Sequence, residues 1–173
     1  TDSTFLSSLR FRGATGFEYG TYDQNSFGVN QTDLFQNNVY VSSSLYNLPF
    51  MKNHLVLNGK LVLAGYNEAD FMITGKYSTA VSKKIRLSLK TAFGSQKPAL
   101  LYDRYSVSGW NWNSILNKMS ISKADLNMKI DSNFFTVGIA GQSITNYTYF
   151  GWDGLPRQYS GVINTFRPYI EKL

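Results

Sequence analysis

The sequence predicts an all-β fold of antiparallel strands, and three observations support this prediction. Apolar and polar residues alternate with a period of two, most clearly in KIRLSLKTAFGS at Lys84–Ser95. Many of the alternating segments are longer than the ~5–6 residues usual for strands in soluble domains. Aromatic residues make up 16% of the chain and charged residues only 16%, whereas about a quarter is usual for charged residues in a soluble domain.

Eight segments carry this alternation, and a ninth is less regular. The predicted strands are Phe5–Tyr22, Asn37–Leu48, His54–Gly65, Asp70–Ser82, Lys84–Ser95, Ser122–Ile130, Phe134–Phe150 and a last strand that begins at Tyr159, with Tyr105–Asn113 as the ninth. Many are long enough for the ~9–11 residues that a tilted strand needs to cross a bilayer. We therefore expect residues 1–173 to form one antiparallel transmembrane β-barrel domain of eight or nine strands, or a segment of a larger barrel.

The alternation leaves open which face of the sheet is inside. Lys60, Lys76, Arg86, Lys90 and Lys129 lie mid-strand on the parity opposite to the apolar residues. In a soluble sandwich, the apolar faces would pack together and this polar face would be the outer surface. In a membrane barrel, odd-numbered apolar positions would face lipid across much of the chain, and the polar face would line water.

The lengths of the connections favour the membrane interpretation. Long and short connections alternate along the chain, as they do in outer-membrane barrels, where the periplasmic turns are the short ones. The turns near Pro49, Lys83 and Asp131 would then be periplasmic. This alternation holds if residues 96–118 form a single connection, and it breaks if Tyr105–Asn113 is a strand, as we expect.

Aromatic residues cluster near the predicted strand ends, where the girdles at a membrane boundary lie. They are Tyr19, Tyr22, Tyr46, Phe50, Phe93, Tyr147, Tyr149, Phe150 and Trp152. Since Tyr and Phe favour strands in any case, each position alone is also compatible with an ordinary sheet.

The chain offers little for catalysis or metal binding. It has no cysteine, which excludes thiolate chemistry, and its one histidine is His54. Glu68 and Asp70 flank a predicted turn, so we interpret them as solvated turn acids and not as a general acid and base. The net charge of +6 is spread along the strands, which disfavours nucleic-acid binding. We expect no enzyme activity and no cofactor.

Two segments resemble the Putative porin family of Bacteroidetes outer membranes. LVLAGYNEADFMITGKY at Leu61–Tyr77 is similar to that family's strand–turn–strand unit. KPALLYDRYSVSGWNWNS at Lys97–Ser114 is similar to its connection with Pro and Tyr, which a Trp/Asn-rich strand follows. The resemblance covers roughly Gly59–Ile130 and implies a β-barrel in the bacterial outer membrane. Because members of that family are much longer, it also implies that this chain is a segment of one.

The sequence therefore predicts a porin-like barrel for passive passage of small polar solutes. The residues expected to line the pore are Asn58, Lys60, Lys76, Arg86, Lys90 and Lys129. Because basic residues around a pore attract anions, conduction would be biased towards anions. Loops at Asp23–Gln36 and around Lys97–Tyr105 would narrow the outer mouth. The expected partners are outer-membrane lipids, the solutes, and other outer-membrane proteins or further copies of the chain.

Two other functions remain open from the residues alone. A soluble or surface β-sandwich could bind carbohydrate by stacking sugar rings on Trp110, Trp112 and Trp152. A barrel without transport of its own could serve as a subunit of a larger outer-membrane assembly. A barrel enzyme is disfavoured, since the single histidine opens a strand.

Overall fold

The computed structural model describes residues 10–22, 34–46, 54–107, 110–130 and 135–172. Its elements are β1 (Arg10–Tyr22), β2 (Leu34–Tyr46), β3 (His54–Gly65), β4 (Phe71–Ala80), β5 (Ile85–Gln96), α1 (Leu100–Asp103), β6 (Arg104–Val107), β7 (Trp110–Asn113), β8 (Met119–Ile130), β9 (Phe135–Phe150) and β10 (Pro156–Lys172). Eight strands form one sheet in the order β1-β2-β3-β4-β5-β8-β9-β10, in which all neighbours are antiparallel. The predicted all-β antiparallel fold is confirmed.

The eight strands lie where the alternation places them. β3 has the predicted bounds, and β4, β5 and β9 differ from their predictions by one or two residues at an end. The part of the first predicted strand before Arg10 lies outside the described residues. Within the described residues, β1 and β10 are the two edges of the sheet and are not paired with each other, so the sheet is open.

The predicted ninth strand exists but does not belong to the eight-stranded sheet. β6 and β7 pair only with each other, as a separate two-stranded sheet that follows α1. β5 pairs directly with β8, from Ile85 opposite Ile130 to Gln96 opposite Met119. The expectation that this strand breaks the alternation of connections is therefore wrong. Its short strands lie within the β5–β8 connection, so the two longest connections, β1–β2 and β5–β8, share one end of the sheet.

Among the described residues, none of the helical segments has the length and apolar character that a membrane span requires.

One face of the sheet, here called the apolar face, carries large hydrophobic side chains that nothing covers in the described part of the chain. Two rows of residues that lie directly opposite each other in neighbouring strands show which side chains share this face. One row is Leu57, Gly75 and Thr91, and the other is Leu89, Leu126 and Ile139. Its exposed residues include Phe11, Phe17, Leu61, Ile73, Phe93, Leu126, Val137, Ile139, Phe166 and Ile170. The only buried hydrophobic residues among those described are Val62 and Leu100. A sandwich requires these apolar residues to form a core, and they do not.

The parity of the two faces changes in β10. The register shifts between Tyr159 and Val162, which is a β-bulge that adds one residue to this strand. Beyond the bulge, the even-numbered Val162, Phe166 and Ile170 lie on the apolar face. The expectation that odd-numbered apolar positions face lipid therefore does not extend to β10 beyond the bulge, because one extra residue exchanges the faces of a strand. It does not hold in β8 either, where the even-numbered Leu126, Met128 and Ile130 lie on the apolar face.

Gly65 ends β3 in a conformation that side chains rarely adopt, with φ 111°. A Cβ atom at this position would overlap the backbone carbonyl of Asn37 in β2. The next residue, Tyr66, donates its backbone N–H to the same carbonyl oxygen at 3.0 Å. The turn after β3 therefore needs glycine both for its backbone angle and for the close approach of β2.

We expect Gly65→Ala to destabilise the fold, by roughly 1–3 kcal/mol from backbone strain alone. Gly59→Ala in the same strand is the control, because its Cβ would meet only Ser43 Oγ at 3.6 Å, an ordinary contact. The measurement is urea unfolding in detergent, in which the folded fraction is monitored by the difference in gel mobility between unheated and heated samples. Equal unfolding midpoints for the two variants would contradict the strain argument.

Candidate functional site

The predicted pore-lining residues all lie on the second face of the sheet, here called the polar face. Lys76 is directly opposite Lys90, which on its other side is opposite Asp125. Arg86 is directly opposite Lys129. The two remaining predicted residues, Asn58 and Lys60, also lie on this face, opposite Thr74 and Met72 respectively. The alternation thus grouped these residues correctly, and the register adds which of them are neighbours.

The polar face places like charges side by side. Lys76 with Lys90, and Arg86 with Lys129, are cross-strand pairs of two cations. Like charges directly opposite each other destabilise a sheet, and a Lys or Arg on a lipid-facing position at mid-bilayer costs about 2–4 kcal/mol. This face therefore requires water and mobile anions around it, while the apolar face has no such requirement.

Lys60 differs from the other predicted cations because an acid balances its charge. Its Nζ lies 2.5 Å from Glu18 Oε1 and 4.1 Å from the centroid of the Tyr40 ring. Both members of this ion pair are largely exposed, so it contributes only ~0–1 kcal/mol to stability. Asn58 donates from Nδ2 to Thr74 Oγ1 at 3.2 Å. We infer that Lys60 attracts anions less than Lys76 or Lys90.

The polar face holds further charged residues outside the predicted set. Lys123 is opposite Ala92, and Arg167 is opposite Ala140, which in turn is opposite Asp125. Lys123 shares the polar parity in the sequence, so the alternation could have included it. Arg167 is odd-numbered and reaches this face only through the bulge in β10, which lies between Tyr159 and Val162. Gly161 at this point is the one signal in the sequence that could have indicated the bulge.

Aromatic residues near strand ends divide between the two faces. Tyr19, Phe93, Tyr147 and Tyr149 are exposed on the apolar face near the end with the longer connections, as an interfacial girdle requires. Tyr46 is opposite Arg10 on the polar face, so the prediction that it belongs to the girdle is wrong. Phe50 lies outside the described residues.

Phe150 also departs from the predicted girdle, because it supports the β5–β8 connection. The Tyr102 ring stacks on it at 4.6 Å between centroids, and the Trp112 ring meets it edge-on at 5.8 Å. Tyr149 lies on the apolar face, and the neighbouring Phe150 therefore lies on the polar face. The β5–β8 connection, which packs on Phe150, thus lies over the polar side of the rim. This is where the sequence predicts a loop that narrows the mouth.

The second predicted loop, Asp23–Gln36, lies outside the described residues as far as residue 33. Its last residues belong to β2.

Asp70 holds both ends of the β5–β8 connection. Its Oδ2 accepts hydrogen bonds from Asn67 Nδ2 at 2.9 Å and from the backbone N–H of Lys97 at 2.8 Å. Its Oδ1 lies 2.9 Å from Lys118 Nζ, at the far end of the same connection. Asp70 is only 6% exposed, so its interpretation as a solvated turn acid is wrong, whereas Glu68 is exposed as expected.

Tyr66 strengthens this anchor. Its hydroxyl donates to the carbonyl oxygen of Pro98 at 3.1 Å, and Lys97 Nζ lies 4.0 Å from the centroid of its ring. Burial, followed by the negative charge of the nearby Asp103, raises the pKa of the Tyr66 hydroxyl above its ordinary value. Tyr66 therefore stays neutral and keeps donating throughout the physiological pH range.

His54 and the tryptophans Trp112 and Trp152, which the sequence suggested for other functions, lie in the described part of the chain. His54 opens β3 opposite Ser78, and no cluster of His, Asp and Glu among the described residues could hold a metal ion. Trp112 packs on Phe150 and donates its Nε1–H to Leu101 O at 3.0 Å. Trp152 is 95% exposed, and the side chain of Trp110 lies outside the described residues.

We expect Asp70→Ala to lower the stability by about 2–3 kcal/mol, since it removes a buried charged acceptor and leaves Lys118 without its carboxylate. Glu68→Ala, an exposed acid two residues away, should change stability little. Urea unfolding in detergent measures the first effect. Limited proteolysis should also cut the 97–118 segment faster in Asp70→Ala. If both variants behave alike, Asp70 does not anchor this connection.

The family model described as "Putative porin" matches residues 3–173. No curated protein and no solved structure matches this chain.

Proposed function

Because this chain belongs to the Putative porin family, we propose that it forms wall strands of an outer-membrane pore for small polar solutes, with a bias towards anions. A porin-like role follows from the family. The location in a bacterial outer membrane and the preference for anions are supported by the two faces of the sheet.

The observation that carries the proposal is the contrast between these faces on a single sheet. The apolar face exposes residues such as Leu126 and Ile139 at mid-strand, as a lipid-facing surface requires. The polar face exposes charged pairs that lipid would not tolerate. Strands of 10 to 17 residues also meet the length that a tilted membrane strand needs.

The preference for anions follows from the balance of charge on the polar face. Cations outnumber acids there: Arg10, Arg12, Lys60, Lys76, Arg86, Lys90, Lys123, Lys129 and Arg167 face the same side as Glu18, Asp125 and Glu171. A surface lined by one sign of charge and backed by a low-dielectric wall concentrates counter-ions. We propose that these residues raise the anion concentration along the wall, with no need for a cofactor, a catalytic group or nucleic acid.

The open sheet favours a second candidate function. Within the described residues, the edge strands β1 and β10 do not pair with each other, and free sheet edges are not stable in a hydrocarbon environment. Their backbone groups therefore need further strands, which supports a role as wall of a larger outer-membrane assembly that does not itself conduct. Conductance measurements separate the two candidates.

A pair of neighbouring substitutions tests which face contacts lipid. Leu89 lies on the apolar face and Ser88 on the polar face of β5. If the apolar face contacts lipid, Leu89→Lys should reduce folded protein in the outer membrane, at a cost of about 2–4 kcal/mol, while Ser88→Lys should be tolerated. The readout is the amount of heat-sensitive gel band in the outer-membrane fraction. Equal yields, or a protein that stays in solution without detergent, would rule out the membrane interpretation.

The anion preference is tested with Lys76→Gln combined with Arg86→Gln. In planar bilayers under a KCl gradient, we expect the reversal potential to shift and the anion-to-cation permeability ratio to fall by roughly twofold or more. Lys84→Gln is the matched control, because Lys84 lies in the β4–β5 turn and not in a strand of the sheet. An unchanged ratio in the double variant would contradict the anion bias, and the absence of any conductance would favour the assembly role.

A further inference from the structure

A groove of about 510 Å³ crosses the middle of the polar face, where β5, β8, β9 and β10 lie side by side. The polar and charged lining residues that belong to the polar face are Lys90, Lys123, Asp125, Gln142, Thr165 and Arg167. They belong to two neighbouring rows of cross-strand partners. One row runs from Lys90 through Asp125 and Ala140 to Arg167, and the other from Ala92 through Lys123 and Gln142 to Thr165.

Short side chains within these rows create the space. Side chains directly opposite each other in a sheet are only about 4.5–5.5 Å apart at Cβ, so long neighbours would fill the surface. Ala140 stands between Asp125 and Arg167, and Ala92 stands beside Lys123. Because the alanine side chains at these two positions are short, they leave space between the charged side chains that line the groove.

The charges in the groove are unequal, with three cations and one carboxylate. In the part of the chain that the structure describes, Lys90, Lys123 and Arg167 form no ion pair with a carboxylate, in contrast to Lys60, Lys97 and Lys118. The Arg167 guanidinium lies 5.5 Å from the centroid of the Tyr169 ring. A ligand with a compact negative charge would find three cations here.

Asp125 is held in place by two donors on the polar face. Its Oδ1 accepts from the Tyr169 hydroxyl at 2.9 Å and from Asn127 Nδ2 at 3.0 Å. The Tyr169 ring lies across Gly138, where any Cβ would collide with it, so the glycine allows this tyrosine to reach Asp125. A carboxylate can accept about four hydrogen bonds, so Asp125 retains acceptor capacity beyond these two.

This combination selects a particular kind of ligand. A bare anion would be attracted by the cations but repelled by Asp125, and a neutral sugar would leave the cations unused. A ligand with an anionic group and several hydroxyls satisfies both, because the cations bind the anionic group while Asp125 and Gln142 bind hydroxyls. The groove lies at mid-strand on the face opposite the apolar one, which favours a free solute over a lipid headgroup.

We propose that this groove is a binding site for small phosphorylated or carboxylated sugars on the wall of the pore, an inference that rests on the proposed porin function. Binding at such a site must be weak enough for the solute to leave again, so we expect millimolar dissociation constants. The site would retain these solutes in preference to neutral sugars and to inorganic anions.

The test uses the full chain in detergent and isothermal titration calorimetry with three probes: glucose 6-phosphate, glucose and inorganic phosphate. We expect glucose 6-phosphate to bind at least about fivefold more tightly than either of the others, because only it uses both the cations and Asp125. Equal affinities for glucose 6-phosphate and phosphate would overturn the proposal.

Four variants locate the site. Lys90→Gln and Arg167→Gln should each weaken glucose 6-phosphate binding roughly tenfold. Asp125→Asn should strengthen phosphate binding and so reduce the preference for the sugar phosphate, a change of sign that simple unfolding cannot produce. Gln142→Ala should weaken glucose 6-phosphate binding without altering phosphate binding, and it keeps the proposal testable if a charge variant fails to fold.

Lys60→Gln is the matched control, because it removes one cation from the same face at a distance from the groove. Its affinity for glucose 6-phosphate should stay within about twofold. If Lys60→Gln weakens binding as much as Arg167→Gln does, the affinity belongs to the whole charged face and the groove is not a site. Specific binding without conductance would contradict the pore function alone, and conductance without binding would contradict the groove alone.

Discussion

The cross-strand register is the constraint on which the rest of the structure depends. In every neighbouring pair of the eight-stranded sheet, backbone hydrogen bonding fixes which residues of the two strands share a face, and most large apolar residues thereby fall on one face and most charged residues on the other. A shift of one residue in a single pair would exchange the faces of every strand beyond it. With almost no buried hydrophobic residue among those described, the sheet gains its stability from this pairing and from the medium that its apolar face contacts. The two faces thus require two different solvents.

The like-charged pairs of the polar face oppose stability, and the proposed function gives a reason for their presence. The Lys76–Lys90 and Arg86–Lys129 pairs oppose the pairing of their own strands. A sheet selected only for stability would alternate charges of opposite sign, as Glu18 and Lys60 do. Clustered cations are the arrangement that attracts anions, so the unfavourable pairs support the proposed role of this face.

The rim at the end with the longer connections is organised differently from the sheet. There, buried polar groups take over from the periodic pattern, and Asp70 joins the two ends of the β5–β8 connection through Lys97 and Lys118. One buried carboxylate can hold two distant residues because each of its oxygens accepts independently. The connection is thereby kept over the polar side of the rim, where it bears on access to that face.

The sequence by itself determined the fold class, the bounds of strands such as β3, and the separation of Lys60, Lys76 and Lys129 from the apolar residues. All of these depend on the two-residue period of a strand, which is a local property of the chain. The tertiary structure alone decided the bulge that moves Arg167 onto the polar face, the exclusion of β6 and β7 from the main sheet, and the burial of Asp70. It also decided which cations stand together around Asp125. These features depend on how separate segments of the chain pair, and a period read along one strand carries no information about its neighbour.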